Sequence, residues 1–117
     1  MTPAARAALA RAKARLDRLD LYPEPVRVDR VRVRVWPWLF RLPLLRRFQG
    51  LASARTIYLR RPPGAAASDD LVTHELVHVW QAQHRRLALN LSYLRGGYRE
   101  NPFEREAREA VAATRDG

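Results

Sequence analysis

A chain of 117 residues, 47% hydrophobic and 29% charged, has the size of one globular domain, so residues 1–117 are expected to share a single core. Its formal charge is +10, and of 22 basic residues only Lys13 is a lysine; so much arginine suits carboxylate or phosphate partners, which the guanidinium fork binds in bidentate fashion. With no cysteine and no apolar run near the ~20 residues of a spanning helix, disulfides, thiolate metal sites and membrane insertion are excluded.

Pro3 to Leu19 sets Leu9, Leu16 and Leu19 near one side of a helix, with alanines between them. The arginine-rich stretch Met1 to Leu16 lacks the apolar segment of a secretory signal, so it reads as a packing helix of the mature protein, and the expected location is the cytoplasm. Tyr22-Pro23-Glu24-Pro25 ends the helix, because proline fixes its own φ and bars the preceding residue from the helical region. Val26 to Val35 then alternates apolar with charged, but the phase slips at Asp29-Arg30. A bulge or a bend there would keep the valines on one buried face and leave Arg30, Arg32 and Arg34 on a solvated one.

Trp36 to Phe40 reads as a bulky apolar loop lying over the core. Arg55 to Arg60 is a second strand, stopped by Pro62-Pro63-Gly64. Ser68-Asp69-Asp70 supplies an N-cap and two acids for a helix running to about Arg86. A third helical stretch is expected from Leu87 to Leu94, before Gly96-Gly97, and a last helix begins with Asn101 as N-cap and Pro102 in its first turn.

The chemistry concentrates in His74-Glu75-Leu76-Val77-His78, an HExxH sequence within the predicted helix. Histidines four apart differ by about 40° around a helix axis, so both imidazoles leave one face, a turn apart, and can share a metal. Glu75 is turned by about 100° from His74, which lets it miss the metal and reach a water bound there. Chance placement of this pattern in a chain of this composition has a probability of about 0.3%. Val72, Leu76, Val79 and Trp80 form an apolar back to the helix, as expected when its polar residues turn into a cleft. Zinc suits the set: neutral imidazole is a good ligand, and three protein ligands with one open position make a hydrolytic site with Glu75 as general base.

The third ligand is less legible. His84 lies ten residues after His74, but the glycine that would turn the chain back toward the metal is replaced by Gln81, so a continuing helix carries His84 out of reach. In the last helix Phe103, Ala107, Ala110, Val111 and Thr114 form the apolar stripe, with Glu104 and Glu106 on its two flanks and Glu109 pointing away. Periodicity leaves both flanking acids open, and Glu104 has a competing role in a capping box with Asn101.

The segment His74 to Gln81, followed by Tyr98, Asn101-Pro102 and Glu104-Arg105-Glu106-Ala107, resembles the gluzincin metallopeptidases. It is most similar to the very small, single-domain kind and to the bacterial domain of unknown function associated with extracellular contractile injection systems. The resemblance covers residues 55–115. It implies a zincin-like α+β fold with a small mixed sheet, an active-site HExxH helix and a second helix carrying the ligand glutamate. On that pattern His74, His78 and Glu104 hold zinc, and Ala107 lets the second helix come close. Many gluzincins place an aspartate four residues after the glutamate to orient a zinc histidine; here that residue is Arg108, so orientation must come from Gln81, Asn101 or a backbone carbonyl.

An oxyanion stabiliser is also required, and Tyr98, with Tyr93 and Arg99 as alternatives, lies between the two ligand helices. Strand Thr56 to Arg60 is expected to offer its edge to an extended peptide substrate. The resulting expectation is zinc-dependent peptide hydrolysis. Its rivals are a latent zinc-binding relative and a basic nucleic-acid-binding module in which HExxH is incidental.

Overall fold

Thr2 accepts a hydrogen bond from the Ala5 N–H at 3.1 Å and Pro3 takes the first helical position, so one unpartnered donor of helix α1 (Pro3–Leu16) is bonded and another is absent. The computed structural model describes residues 1–19, 25–53, 55–64, 66–96 and 101–115. Ala5, Ala8, Leu9, Ala12 and Leu16 are buried, and this mostly small-residue stripe lets α1 lie close on the central helix α2 (Ala66–Gly96). The expected extension to Leu19 is instead a turn, with Leu19 N–H donating to Leu16 C=O at 2.9 Å.

Of the two alternatives at Asp29-Arg30, bulge or bend, the structure has the bend, a turn. Val31 N–H donates to Val28 C=O at 3.1 Å, and only Arg32–Val35 (β1) enters a sheet. The preceding segment is tied to α2 instead, Gln83 Nε2 donating to Arg27 C=O at 3.0 Å. The turn restores one buried side all the same: Val26, Val31 and Val33 are in the core, while Arg30, Arg32 and Arg34 are exposed. Trp36 to Phe40 is less of a lid than expected. A 3-10 helix, Pro37–Arg41, buries Phe40 but leaves Trp38 54% exposed and stacked on Trp36 at 5.5 Å.

The sheet holds a strand that periodicity missed, Gly50–Ala52 (β2), beside Thr56–Leu59 (β3). β1 pairs with β3 in parallel and β2 with β3 antiparallel, giving the order β1-β3-β2. The segment expected to be the edge, Thr56 to Arg60, is therefore the centre, and the edges belong to β1 and β2. A three-residue strand is too short to show alternation, and it pairs only because a hairpin closes beside it: Ser53 N–H donates to Thr56 C=O at 2.8 Å.

Ile57 and Leu59 turn inward onto α2, and Tyr58 turns outward on the same side as Arg34. The two helical stretches expected either side of Arg86 are one helix, because neither proline nor glycine interrupts the chain from Ala66 to Tyr93. It starts at Ala66, so Ser68 lies inside its first turn instead of capping it. From Val72 to Gln81 every residue of α2 but His74 is buried, since the sheet, α1 and α3 (Pro102–Thr114) surround it.

α3 begins as expected, Asn101 Oδ1 accepting from Phe103 N–H at 2.8 Å and Glu104 N–H at 3.3 Å. Phe103, Ala107, Ala110, Val111 and Thr114 are its buried stripe. One arginine locks the three helices. Arg15 donates to Asp70 Oδ1 on α2 at 3.0 Å, and on α3 to Thr114 Oγ1 at 3.0 Å and Val111 C=O at 2.9 Å. The described residues thus form a small α+β domain of three α-helices, a 3-10 helix and a three-stranded mixed sheet.

Candidate metal centre

Burial of α2 on nearly all sides forces its polar side chains either to find partners or to face a cavity. Thr73 bonds back to Asp69 C=O at 2.7 Å. Of the other polar side chains between Val72 and Gln81, His74, His78 and Gln81 meet residues of α3, and Glu75 lies beside them against Gly50.

The Nε2 atoms of His74 and His78 are 3.3 Å apart. Glu104, 2% exposed, reaches across from α3, with Oε1 2.6 Å from His78 Nε2 and Oε2 3.1 Å from His74 Nε2. Two nitrogens each ~2.0–2.1 Å from a tetrahedral zinc stand about 3.3–3.4 Å apart, so the imidazole pair has the right span. Ligand atoms of His74, Glu75 and His78 also lie within 4.8 Å of one another. Glu104 touches both imidazoles, while no hydrogen bond joins Glu75 to either of them among the described residues.

Gln81 fixes which nitrogen of His78 faces Glu104. Its Nε2 donates to Phe103 C=O at 2.9 Å and to Glu106 Oε1 at 3.1 Å, so its Oε1 must point the other way, 2.7 Å from His78 Nδ1. An amide oxygen only accepts, hence Nδ1 carries a proton and the Nε2 lone pair is directed at Glu104. A lone pair facing a carboxylate needs a cation between them, either a proton or a metal ion. Burial opposes charge on His78, but the bond to Glu104, the carboxylates of Glu75 and Glu104 and the bond to Gln81 outweigh it and raise its pKa. The donor set therefore fits a divalent cation with neutral imidazole and carboxylate ligands.

Glu75 is 5% exposed, and no hydrogen bond reaches its carboxylate among the described residues. Burial pushes its pKa up, His78 and His74 pull it down, and Glu104 pushes it up again, with a net rise. With His74 it lines a cleft of about 670 Å³, whose walls also include Gln49, Gly50 and Leu71. His78 and Glu104 are buried behind them, and among the described residues the cleft reaches the centre on the side of His74 and Glu75.

Gly50 explains how the sheet comes so close. A Cβ there would stand 3.2 Å from Leu71 Cδ1 and 3.3 Å from Glu75 Cγ, tighter than ordinary contact, so only glycine lets the strand approach the helix without displacing them. Residues 49 and 60 and residues 53 and 56 form the hydrogen-bonded pairs flanking β2. By the antiparallel alternation Gly50 and Ala52 direct their N–H and C=O groups away from β3, along the open edge.

Glu106 bonds Gln81 rather than either imidazole, and His84 Nδ1 turns back to Trp80 C=O at 2.9 Å as α2 continues. The Glu104 carboxylate meets both histidines. Tyr98 and Arg99 lie outside the described residues, and Tyr93 belongs to α2. Arg108, at the position where an orienting aspartate was sought, lines the cleft, and Gln81 does the orienting. That role was foreseeable from its position three residues after His78, on the same helix face. Gly50 carried no comparable signal.

No family model matches the sequence, no curated protein matches it, and no solved structure matches the fold. No helix among the described residues is long and apolar enough to cross a membrane.

Proposed function

We propose that the protein is a minimal zincin-like peptidase, similar to the gluzincins, with zinc held by His74, His78 and Glu104. The observation that carries this reading is the position of Glu104: a carboxylate thirty residues after His74 meets both Nε2 atoms, while Glu75 stands unbonded at the mouth of the cleft. Zinc in such a set supplies a Lewis acid that lowers the pKa of water toward ~7 and polarises a carbonyl. Glu75 takes the proton as water adds to the peptide carbonyl, then delivers it to the departing amine. The edge of Gly50–Ala52 pairs with an extended substrate main chain and lays the scissile bond across the centre. Tyr98 is the proposed donor to the developing oxyanion.

Metal content of the wild type, Glu104→Ala, Glu106→Ala and His84→Ala tests the reading. One zinc per chain is expected for all but Glu104→Ala; equal zinc in that variant would refute the ligand set. Glu75→Gln should keep its zinc and lose turnover.

A second reading, binding of single-stranded nucleic acid, is favoured by the outer sheet face, where exposed Arg32 and Arg34 lie beside Tyr58 and the Trp36–Trp38 stack. Binding with a steep salt slope, lost in Arg34→Glu and independent of metal, would establish it.

A further inference from the structure

Three segments meet at one end of the sheet. β1 and β3 run parallel and β2 antiparallel to them, and the bonds from Trp36 N–H to Leu59 C=O and from Arg60 N–H to Gln49 C=O, both at 3.0 Å, bring Trp36, Gln49 and Arg60 together there. The connection between β1 and β2 therefore leaves this end at Trp36 and returns to it at Gln49. We propose that this end of the sheet docks on an anionic phospholipid bilayer, with Trp38, Leu42 and Leu44 entering the interface and the arginines around them meeting the headgroups.

Apolar exposure is concentrated in that connection. Among the described residues, every exposed large hydrophobic side chain but Met1 falls between residues 36 and 44: Trp36, Trp38, Leu42 and, at 88%, Leu44. The backbone that carries them is built rather than slack. Leu42 N–H donates to Leu39 C=O, Leu45 N–H to Leu42 C=O and Phe48 N–H to Leu45 C=O, and the Arg60 guanidinium donates to the carbonyls of Phe40 and Arg46, tying down both ends of the segment. Phe40 turns into the core while the leucines on either side of Pro43 are held outward. A hydrogen-bonded loop that keeps a cluster of apolar side chains in water marks a contact with something apolar.

Charge is segregated in the same way. Between residues 30 and 68 stand nine arginines and no acid, so nearly all of the formal +10 belongs to the sheet and its connections. Arg34, Arg41, Arg46 and Arg61 are exposed, and no ion pair engages them among the described residues. These two features together choose the occupant. A second copy of the chain would set arginines against arginines. A nucleic acid would satisfy the arginines and stack on the tryptophans, but Leu42 and Leu44 would stay in water. An anionic bilayer takes both: guanidinium groups meet phosphate in the headgroup layer, tryptophan rings rest at that depth, and leucines reach the acyl chains below. Such a contact lies within the interface of one leaflet and needs no spanning helix. Because Phe48, Gln49 and Gly50 continue from this loop into the wall of the cleft, docking holds that wall within about 22 Å of the inserted Leu44.

The test titrates the full chain with large unilamellar vesicles of phosphatidylcholine, alone or with about 30% phosphatidylglycerol. Trp80 is 1% exposed, so a blue shift of tryptophan emission and quenching by brominated acyl chains report on Trp36 and Trp38. Anionic vesicles should bind at least about tenfold tighter than neutral ones, the gap narrowing as salt is raised. Leu42→Ser combined with Leu44→Ser alters no charge and should weaken binding about tenfold; Trp38→Ser reads the same contact should that pair fail to fold. Arg41→Gln and Arg46→Gln should each weaken it about fivefold, and Arg105→Gln on the exposed side of α3 should leave it unchanged.

Unshifted emission on anionic vesicles, or a leucine variant that binds them as the wild type does, overturns the inference. So does an equal loss with Arg105→Gln, which would mean that net charge alone is read. Binding of a single-stranded oligonucleotide in place of vesicles, retained by the leucine variant, overturns it in favour of nucleic acid. Vesicle binding is expected with and without zinc, so a chain that takes up no metal but still docks sinks the peptidase reading and leaves the lipid surface standing.

Discussion

Replacing Gln81 by leucine keeps most of the buried volume and removes three hydrogen bonds at once, those with His78 Nδ1, Phe103 C=O and Glu106. Two separable losses follow. Phe103 C=O keeps its helical partner, the Ala107 N–H, so losing the two bonds donated by Gln81 costs about 0.5–1.5 kcal/mol each. His78 also loses the acceptor that keeps its proton on Nδ1, so the ring is free to turn or change tautomer and the Nε2 lone pair is no longer held at the centre. Removing an outer partner of this kind lowers metal affinity about 10- to 100-fold, equivalent to ~1.4–2.7 kcal/mol. Gln81→Glu separates the two effects. It keeps an acceptor for Nδ1 but sets a carboxylate against Phe103 C=O and Glu106, so its zinc affinity should exceed that of Gln81→Leu while its stability does not. Competition against a chromophoric chelator reads the affinity, and denaturant melts of the metal-free proteins read the stability. A Gln81→Leu protein that binds zinc within twofold of the wild type would refute the tautomer argument.

Gly50→Ala should leave zinc content unchanged and lower kcat/KM on peptides, because Leu71 and Glu75 must give way by a few tenths of an ångström; steady-state kinetics beside metal analysis checks it. Arg15→Met keeps the packing of the aliphatic stem and loses the bonds to Asp70, Thr114 and Val111, so urea denaturation should reveal a destabilisation of about 2–4 kcal/mol. Stripping the metal with a chelator should lower the thermal midpoint: free zinc at a hundred times its Kd contributes about 2.7 kcal/mol to the folded state, and differential scanning calorimetry would register the loss. An unchanged midpoint in a protein shown to have lost zinc would contradict the placement of the centre between α2 and α3.

The residues that face along a single element were legible from the chain alone. Spacing put His74, Glu75 and His78 on adjoining faces of a helix, Asn101-Pro102 marked the start of another, and the stripe from Phe103 to Thr114 named its buried side. These follow from backbone geometry, which sets the direction of a side chain relative to its own axis. Boundaries were less legible where they depended on neighbours. The valine run is mostly not strand because Gln83 holds one part of it, and Gly50–Ala52 is strand only because β3 lies beside it.

How one element is rotated against another was decided by the tertiary structure. Glu104 and Glu106 flank the same stripe and are equivalent to periodicity; the seating of Ala107 against α2 turns one toward the imidazoles and the other toward Gln81. The sequence by itself determined a pair of imidazoles and a nearby carboxylate on one helix. Tertiary packing added the second carboxylate, that of Glu104, the partner that fixes the His78 tautomer and the glycine edge over the cleft. Each depends on a contact between residues distant in the chain, and a local repeat carries no information about the angle at which two surfaces meet.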